Sequence, residues 1–302
     1  MQHHEIKWND RFNIGITEID KAHQRLFEII GKLVKENETK DLEKRNRLCH
    51  EGIKYLKSYT LKHFADEEAY MRSINYKDYA THKQLHDNLR DKTLPSLEEE
   101  MESQNYSEES IQHFLGICTG WLTGHIMVED YAITGRTLSK WNFPAEDITL
   151  DSLEHAIIPT LQRMFRSDAH IVSEHYGVED FANGNTLCFR ITYISIEGKT
   201  IHVYLIYESR MILSILTAML RKQIPRIDQT VISAMKMLSQ KFMDCIGSYF
   251  PSSDDYMLQR NDVMSFELLE KTFNKNYPSY SMLFDMDGNG YFALCVETEP
   301  QS

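Results

Sequence analysis

HFADEEAYM, residues 63–71, is the stretch that decides how the first half of this chain folds. His63 and Glu67 stand four apart, so on a helix they share one face, one turn from each other. Working outward, the same spacing recurs in THKQLH (81–86), where His82 and His86 form a second pair. HIMVED (125–130) carries His125 and Asp130 five apart, a looser fit that calls for a tilted carboxylate or a local distortion of the helix. His23 lies alone in IDKAHQRLF (19–27). One such pair could be a packed or solvated surface. Four helices that each contribute a ligand-type side chain point instead to a metal centre. Five imidazoles and two carboxylates exceed the four ligands that close a structural zinc. They suit two ions that share the carboxylates, and mixed imidazole and carboxylate ligation fits iron better than calcium or magnesium.

The apolar periodicity around these residues predicts four long helices: 18–37 with Thr17 as N-cap, 41–72, 77–101 and 108–139. Ile19, His23, Leu26, Phe27, Ile30 and Leu33 form the inner stripe of the first. Ile53, Leu56, Tyr59 or Thr60, His63 and Glu67 form that of the second. Phe114, Ile117, Trp121 and His125 form that of the fourth. Pro95 predicts a kink or early end in the third. A turn is expected at Asn105-Tyr106-Ser107, with Ser107 and Ser110 as caps. Short turns between long amphipathic helices predict an up-down-up-down bundle with the metals between the helices. Trp8, Phe12, Ile14 and Ile16 form an arm that folds back over it. His3, His4, His50 and His113 fit no pair and read as terminus, polar or surface positions. Glu98-Glu99-Glu100 reads as a solvated face.

The ordered set His23, His63-x3-Glu67, His82-x3-His86, His125-x4-Asp130, with IKWND, IGITEIDKAHQRLF and HIMVEDY around it, resembles the hemerythrins, the bacterial ones in particular, over about residues 5–140. The resemblance implies a hemerythrin-like four-helix bundle holding two iron ions, bridged by an oxo or hydroxo group, with O2 as ligand. It implies that His82, His86 and His125 serve one iron, that His23 and His63 serve the other, and that Glu67 and Asp130 bridge. It places Phe64, Trp121, Leu122 and Ile126 around the O2 pocket.

The chain has 302 residues, enough for two domains, and 42% apolar residues, enough for ordinary cores. A net charge of −12 argues against nucleic acid or an anionic membrane as the main partner. No apolar run approaches a membrane span, and MQHHEIKW has no apolar signal region, so a cytoplasmic protein is expected. Cys49, Cys118, Cys188, Cys245 and Cys295 are scattered without a CxxC spacing and read as reduced thiols.

The expected domains are 1–143 and 144–302, joined by AEDITLDS (145–152) after a helix end at Trp141-Asn142-Phe143-Pro144. In the second, a helix over 151–167, strands at 169–173, 187–196 and 200–207, helices at 208–222 and 227–249, and strands at 280–286 and 290–298 predict an α+β fold. Glu197-Gly198-Lys199 reads as a hairpin turn. LEHAIIPTLQRMF, VYLIYESRMILSILTAML and ISAMKMLSQ in this order resemble the chemotaxis phosphatases of the CheC and CheX type over about residues 150–300. That resemblance implies a CheX-like domain. It puts Met237 and Gln240 where the family's phosphatase motif has Glu and Asn, so it implies an inactive relative that dimerises or contacts a signalling or chemotaxis protein. Asp285-x-Asp287-x-Asn289-Gly290 imitates the start of a calcium loop but lacks its closing Glu, with Val296 at that position, and reads as a β-turn. His170, His175 and His202 have no matching carboxylates and read as structural or surface residues.

The expected function is a di-iron O2-binding protein, an oxygen or redox sensor relaying to the second domain, with O2 and a homodimer or signalling protein as partners. Two alternatives are weighed. A di-iron peroxidase, oxidase or NO-handling enzyme is disfavoured because oxygenase-type sites use more carboxylates and fewer histidines. An O2-regulated phospho-aspartate phosphatase is disfavoured by Met237 and Gln240.

Overall fold

The computed structural model describes residues 8–135, 150–176, 186–247 and 256–298. The chain divides into two compact units, Met1–Ser139 with Met219–Gln223 and Asp228–Met235, and Lys140–Ala218 with Ile224–Ile227 and Lys236–Ser302. His3, His4 and the predicted helix end at Trp141-Asn142-Phe143-Pro144 lie outside the described residues.

The first unit is a four-helix bundle. Its first helix is Thr17–Asn37 and its second Leu42–Ser73. The third runs over 79–103 in three segments, Tyr79–Asn88, Leu89–Thr93 and Leu94–Ser103. The fourth runs over 108–133 as Glu108–His125, Ile126–Asp130 and Tyr131–Ile133. The first packs on the second, the second on the third, the third on the fourth, and the fourth closes back on the first. Each turns one apolar stripe inward: Ile19, Leu26, Phe27, Ile30 and Leu33 of the first, and Phe114, Leu115 and Leu122 of the fourth, are buried. In the second helix the stripe runs through Thr60 and not Tyr59. Thr60 is buried, and its hydroxyl donates to Leu56 O at 2.9 Å.

Several helix ends follow the chemistry of their sequence. Asp41 caps the second helix by accepting from Lys44 N at 3.1 Å, and Ser107 caps the fourth by accepting from Ser110 N at 3.1 Å. Asn105 and Tyr106 adopt positive φ in the turn before it, and Tyr106 N donates to Met101 O. The expected Thr17 cap is corrected. Ile16 occupies the cap position without a side-chain bond, and Asp20 reaches back to accept from Ile14 N at 2.8 Å and Gly15 N at 3.0 Å. The carboxylate thereby ties the arm to the helix, where the macrodipole favours negative charge. Phe12 and Ile14 of that arm are buried, and Trp8 packs on Phe12 and Phe27, both at 5.6 Å between ring centroids.

Pro95 neither ends nor breaks the third helix. A π-turn over Leu89–Thr93 precedes it, with Leu94 N bonding Leu89 O, so the residue lacking an N–H enters a new helical segment near its start. The glutamate run is also corrected. Glu98 pairs with Lys57, and Glu100 pairs with His113 Nδ1 at 2.9 Å, leaving Glu99 as its exposed member. His50 likewise has a partner, the hydroxyl of Tyr106 at 2.7 Å.

The second unit is built on an antiparallel sheet of six strands in the order β1-β5-β6-β3-β2-β4. These are β1 His170–Ser173, β2 Thr186–Ser195, β3 Thr200–Glu208, β4 Tyr256–Met264, β5 Tyr280–Asp285 and β6 Tyr291–Thr298. Its helices are Leu150–Phe165, Phe266–Lys275 and the larger parts of Ser209–Leu220 and Gln229–Ile246, of which Met219–Leu220 and Gln229–Met235 are grouped with the first unit. The alternation along β3 sends Tyr204 and Ile206 to one face, with Leu269 and Phe273. Tyr207 faces the other way, onto Phe165 and Phe292, and its hydroxyl meets Ser239 at 3.0 Å.

Strand β4 and the helix Phe266–Lys275 go unpredicted. The strand YMLQRNDVM is polar and lies mostly exposed at the sheet edge, so it lacks a buried alternation. The calcium look-alike is a hairpin turn between β5 and β6. Asp287 and Gly288 have φ of 53° and 71°, and Asn289 N donates to Met286 O. His202 bonds Thr192 Oγ1 at 3.0 Å, His175 stacks on Tyr277, and His170 is exposed.

Candidate metal centre

The seven ligand-type side chains of the first unit converge. His23, Glu67, His86 and Asp130 are fully buried, and His63, His82 and His125 nearly so. The five-residue step from His125 to Asp130 is resolved by the helix, not by the carboxylate. Ile126–Asp130 is a π-turn, and one extra residue per turn brings the two side chains onto one face.

The donors fall into two groups, Glu67 with His82, His86 and His125, and Glu67 with His23 and His63. In the first, His125 Nε2 lies 3.1 Å from His82 Nε2 and 3.0 Å from His86 Nε2. Two nitrogens bound at right angles to one ion at ~2.1 Å would stand ~3 Å apart. Glu67 belongs to both groups. Its Oε2 is 3.4 Å from His86 Nε2 and 3.7 Å from His63 Nε2. Asp130 divides its oxygens between the groups: Oδ1 is 3.0 Å from His125 Nε2 and 3.4 Å from His82 Nε2, and Oδ2 is 3.2 Å from His23 Nε2.

The electrostatics of the cluster suit cations. Burial pushes the His63 imidazolium well below its ordinary pKa, and His23 adds to the shift. His86 is pushed down by burial, then by His125 and His82. Both therefore stand neutral with a lone pair to offer. Burial, then the charge of Asp130, pushes the Glu67 carboxyl up. Burial would raise Asp130 too, but the charge of His125, with His23 and His82 also facing the carboxylate, outweighs it and holds that carboxyl well below the usual range. Both oxygens of Glu67 and of Asp130, and both ring nitrogens of His23 and His63, are buried without a hydrogen-bond partner. Each such atom costs about 1–3 kcal/mol. A pair of cations between the two groups would satisfy the inward-facing donors at once, so the residues fit a two-metal centre.

Aromatic rings wall the cluster. Phe64 lies parallel to His86 at 3.9 Å between centroids, and Trp121 parallel to His125 at 4.3 Å. Beside them is a cavity of about 20 Å³ lined by Leu26, Leu56, Phe64, Leu89, Trp121 and Leu122, among others. A water needs roughly 10–15 Å³ of such space, so the cavity suits one very small guest. Ile126 is fully buried in the π-turn but does not line this cavity. The polar side chains on its wall are engaged elsewhere: Thr60 with Leu56 O and Lys57 with Glu98. Sequence reasoning missed Glu68, which faces His86 from outside the ligand set. In the sequence it cannot be told from an exposed glutamate.

In the described residues of both units, no helix is long and apolar enough to cross a membrane. Solved structures similar in fold include the chemotaxis protein CheX of Vibrio vulnificus, at 12% identity and TM-score 0.37, covering 52% of this chain and 100% of that one. Residues 14–136 match the family described as the hemerythrin HHE cation binding domain. A bacteriohemerythrin of Clostridium acetobutylicum is 36% identical over 126 residues, which span 41% of this chain and 94% of that protein. A bacteriohemerythrin of Pseudomonas aeruginosa is 30% identical over 125 residues, spanning 41% of this chain and 76% of that protein. With its buried cluster of five histidines and two carboxylates on a four-helix bundle, the chain belongs, through residues 14–136, to the hemerythrin family of di-iron oxygen-binding proteins.

Proposed function

We propose that His82, His86 and His125 hold one iron, that His23 and His63 hold the other, and that Glu67 and Asp130 bridge them. On this reading the protein is a sensor of oxygen or redox state. The observation that carries it is the sharing of the carboxylates: Glu67 belongs to both donor groups, and Asp130 turns one oxygen to each. The uneven split of imidazoles, three against two, means that His23 and His63 would offer their ion fewer protein donors than His82, His86 and His125 would offer theirs. When bound, the irons would supply reversible, redox-linked binding of O2.

The chain's own residues set the conditions. His63 and His86, held neutral by burial, keep their lone pairs ready for cations at ordinary pH. Phe64 and Trp121 press on the rings of His86 and His125 and fix their planes. Together with Leu122 they form the apolar surround that keeps out water and acid, which favours release of O2 over its consumption. The second unit would carry the output, by docking on a signalling protein or on a second copy.

The test is spectroscopic. The full chain is loaded with iron and reduced without air, and visible spectra are taken before O2, with O2 and after its removal. A charge-transfer band that appears and then vanishes supports a reversible sensor. Immediate and permanent oxidation to the ferric form rules reversible binding out and leaves a redox sensor or a peroxide- or NO-consuming enzyme. For the relay, hydrogen exchange in β4 to β6 should differ between the reduced and oxygenated protein. Identical exchange would remove the sensor reading while leaving O2 binding intact.

A further inference from the structure

The five imidazoles of the cluster are not held alike. His23, His63 and His82 have Nδ1 atoms that are buried without a hydrogen-bond partner. His86 differs: its Nδ1 lies 3.3 Å from Glu68 Oε1, while its Nε2 faces His125 Nε2 and Glu67 Oε2. Glu68 is itself 9% exposed and is anchored from behind, with its Oε2 3.8 Å from Arg72 Nη1. Arg72 in turn donates to the hydroxyl of Tyr79 at 2.6 Å and lies over that ring, so its position is fixed across two helices. Phe64, stacked within 3° of parallel on the His86 ring, sets the plane of the imidazole. Stacking cannot choose between the ring's two tautomers, because both present the same flat face. An acceptor at Nδ1 can.

We propose that Glu68 is a positioning residue for the three-histidine metal. Its carboxylate accepts the Nδ1–H of His86 and thereby fixes the tautomer whose Nε2 lone pair points into the cluster. An imidazole that donates its other N–H to a carboxylate is also a stronger donor to a metal, and loss of such a partner typically lowers metal affinity by ~10–100-fold. Glu68 would therefore separate the two metal positions in strength without touching either ion. The inference rests on the two-metal reading above, and the experiment separates the failure of one from the failure of the other.

The test uses the full chain with 15N-labelled histidine, as wild type, Glu68→Leu and Glu68→Gln. The His86 tautomer is read by NMR in the metal-free protein, and iron(II) affinity is read separately by competition with a chelator. The wild type should show His86 protonated at Nδ1. E68L should lose that single tautomer, with the His82 signals unmoved, and bind one of its two metals ~10–100-fold more weakly. E68Q, which keeps an acceptor but not the charge, should keep the tautomer and fall between the two in affinity. Wild-type tautomer and affinity in E68L would overturn the proposal, as would weakened binding with the tautomer unchanged. If E68L does not fold, E68Q decides alone, and wild-type affinity in it overturns the proposal. A wild-type chain that binds fewer than two metals overturns the two-metal reading itself, whatever the tautomer shows.

Discussion

Replacing His63 by Leu should reverse sign with metal. His63 is buried, and both its ring nitrogens lack hydrogen-bond partners in the protein. Two orphaned buried atoms at about 1–3 kcal/mol each put a burden of roughly 2–6 kcal/mol on the metal-free fold. Leu removes both atoms, but it does not match the ring's shape, and misfit at a packed site costs about 1–3 kcal/mol. The metal-free variant should therefore be more stable than the metal-free wild type, by about 2 kcal/mol after that offset. With metal the order changes. The four-donor group of Glu67, His82, His86 and His125 survives, whereas the group with His23 loses one of its two imidazoles. One bound ion at a free concentration a thousand times its dissociation constant contributes about 4 kcal/mol. The metal-induced gain should thus fall from about 8 kcal/mol for two ions to about 4 for one. At roughly 2–4 °C per kcal/mol, the variant's thermal response to metal should be smaller by roughly 8–16 °C. The assay is urea and thermal unfolding with and without metal, followed by tryptophan fluorescence, with bound metal counted by native mass spectrometry. Two metals bound to H63L, or a metal-free H63L less stable than metal-free wild type, would refute the reasoning.

Other expectations follow from single contacts. Phe64→Ala removes a buried ring stacked on His86 and should cost about 3–5 kcal/mol in urea unfolding; a loss under about 1 kcal/mol would mean that the stack adds nothing. Burial pushes the thiols of Cys118 and Cys49 up to about 12 and about 11. Below its pKa a thiol is mostly protonated and unreactive, so at pH 8 iodoacetamide should label these two only after unfolding, as read by peptide mass spectrometry. In the β5–β6 turn, a Cβ at Gly288 meets nothing, and Gly288→Ala should cost only about 1 kcal/mol of backbone strain. A Cβ at Gly290 would stand 2.9 Å from Met211 N and 2.8 Å from Glu208 Oε2, at φ +131°. Gly290→Ala should therefore be clearly the more damaging in urea unfolding, and equal losses would contradict that packing.

The bundle was legible because its chemistry repeats at the helical period. His63 with Glu67 and His82 with His86 each declare a face, and the apolar stripes agree with those faces. What the sequence concealed falls into two kinds. Local backbone solutions were hidden, because a proline or a five-residue spacing signals trouble without saying how it is relieved; π-turns at Leu89–Thr93 and Ile126–Asp130 relieve both. Polar side chains in supporting roles were hidden as well. Asp20, Glu68 and Glu98 look like ordinary helix-surface acids, and their partners come from other turns or other helices. The second unit was read through its hairpins and buried strands, while β4 escaped because an exposed edge strand needs no apolar alternation. Which carboxylate joins the two donor groups was not fixed by spacing either. It required the distances from Glu67 and Asp130 to their histidines.

The engagement of Thr60 and Lys57 has a bearing on chemical selectivity. A solute entering the cavity beside Phe64 and Trp121 must leave its hydration shell behind. The nearest hydroxyl and ammonium, already held by Leu56 O and Glu98, give it nothing in exchange. An uncompensated polar group pays several kcal/mol for such a transfer, and an ion far more, whereas a diatomic gas has almost no hydration to lose. The wall therefore filters by dehydration free energy as well as by size. Such a wall would favour dissolved gases over water-bound anions of similar dimensions, before any ligand bond is made.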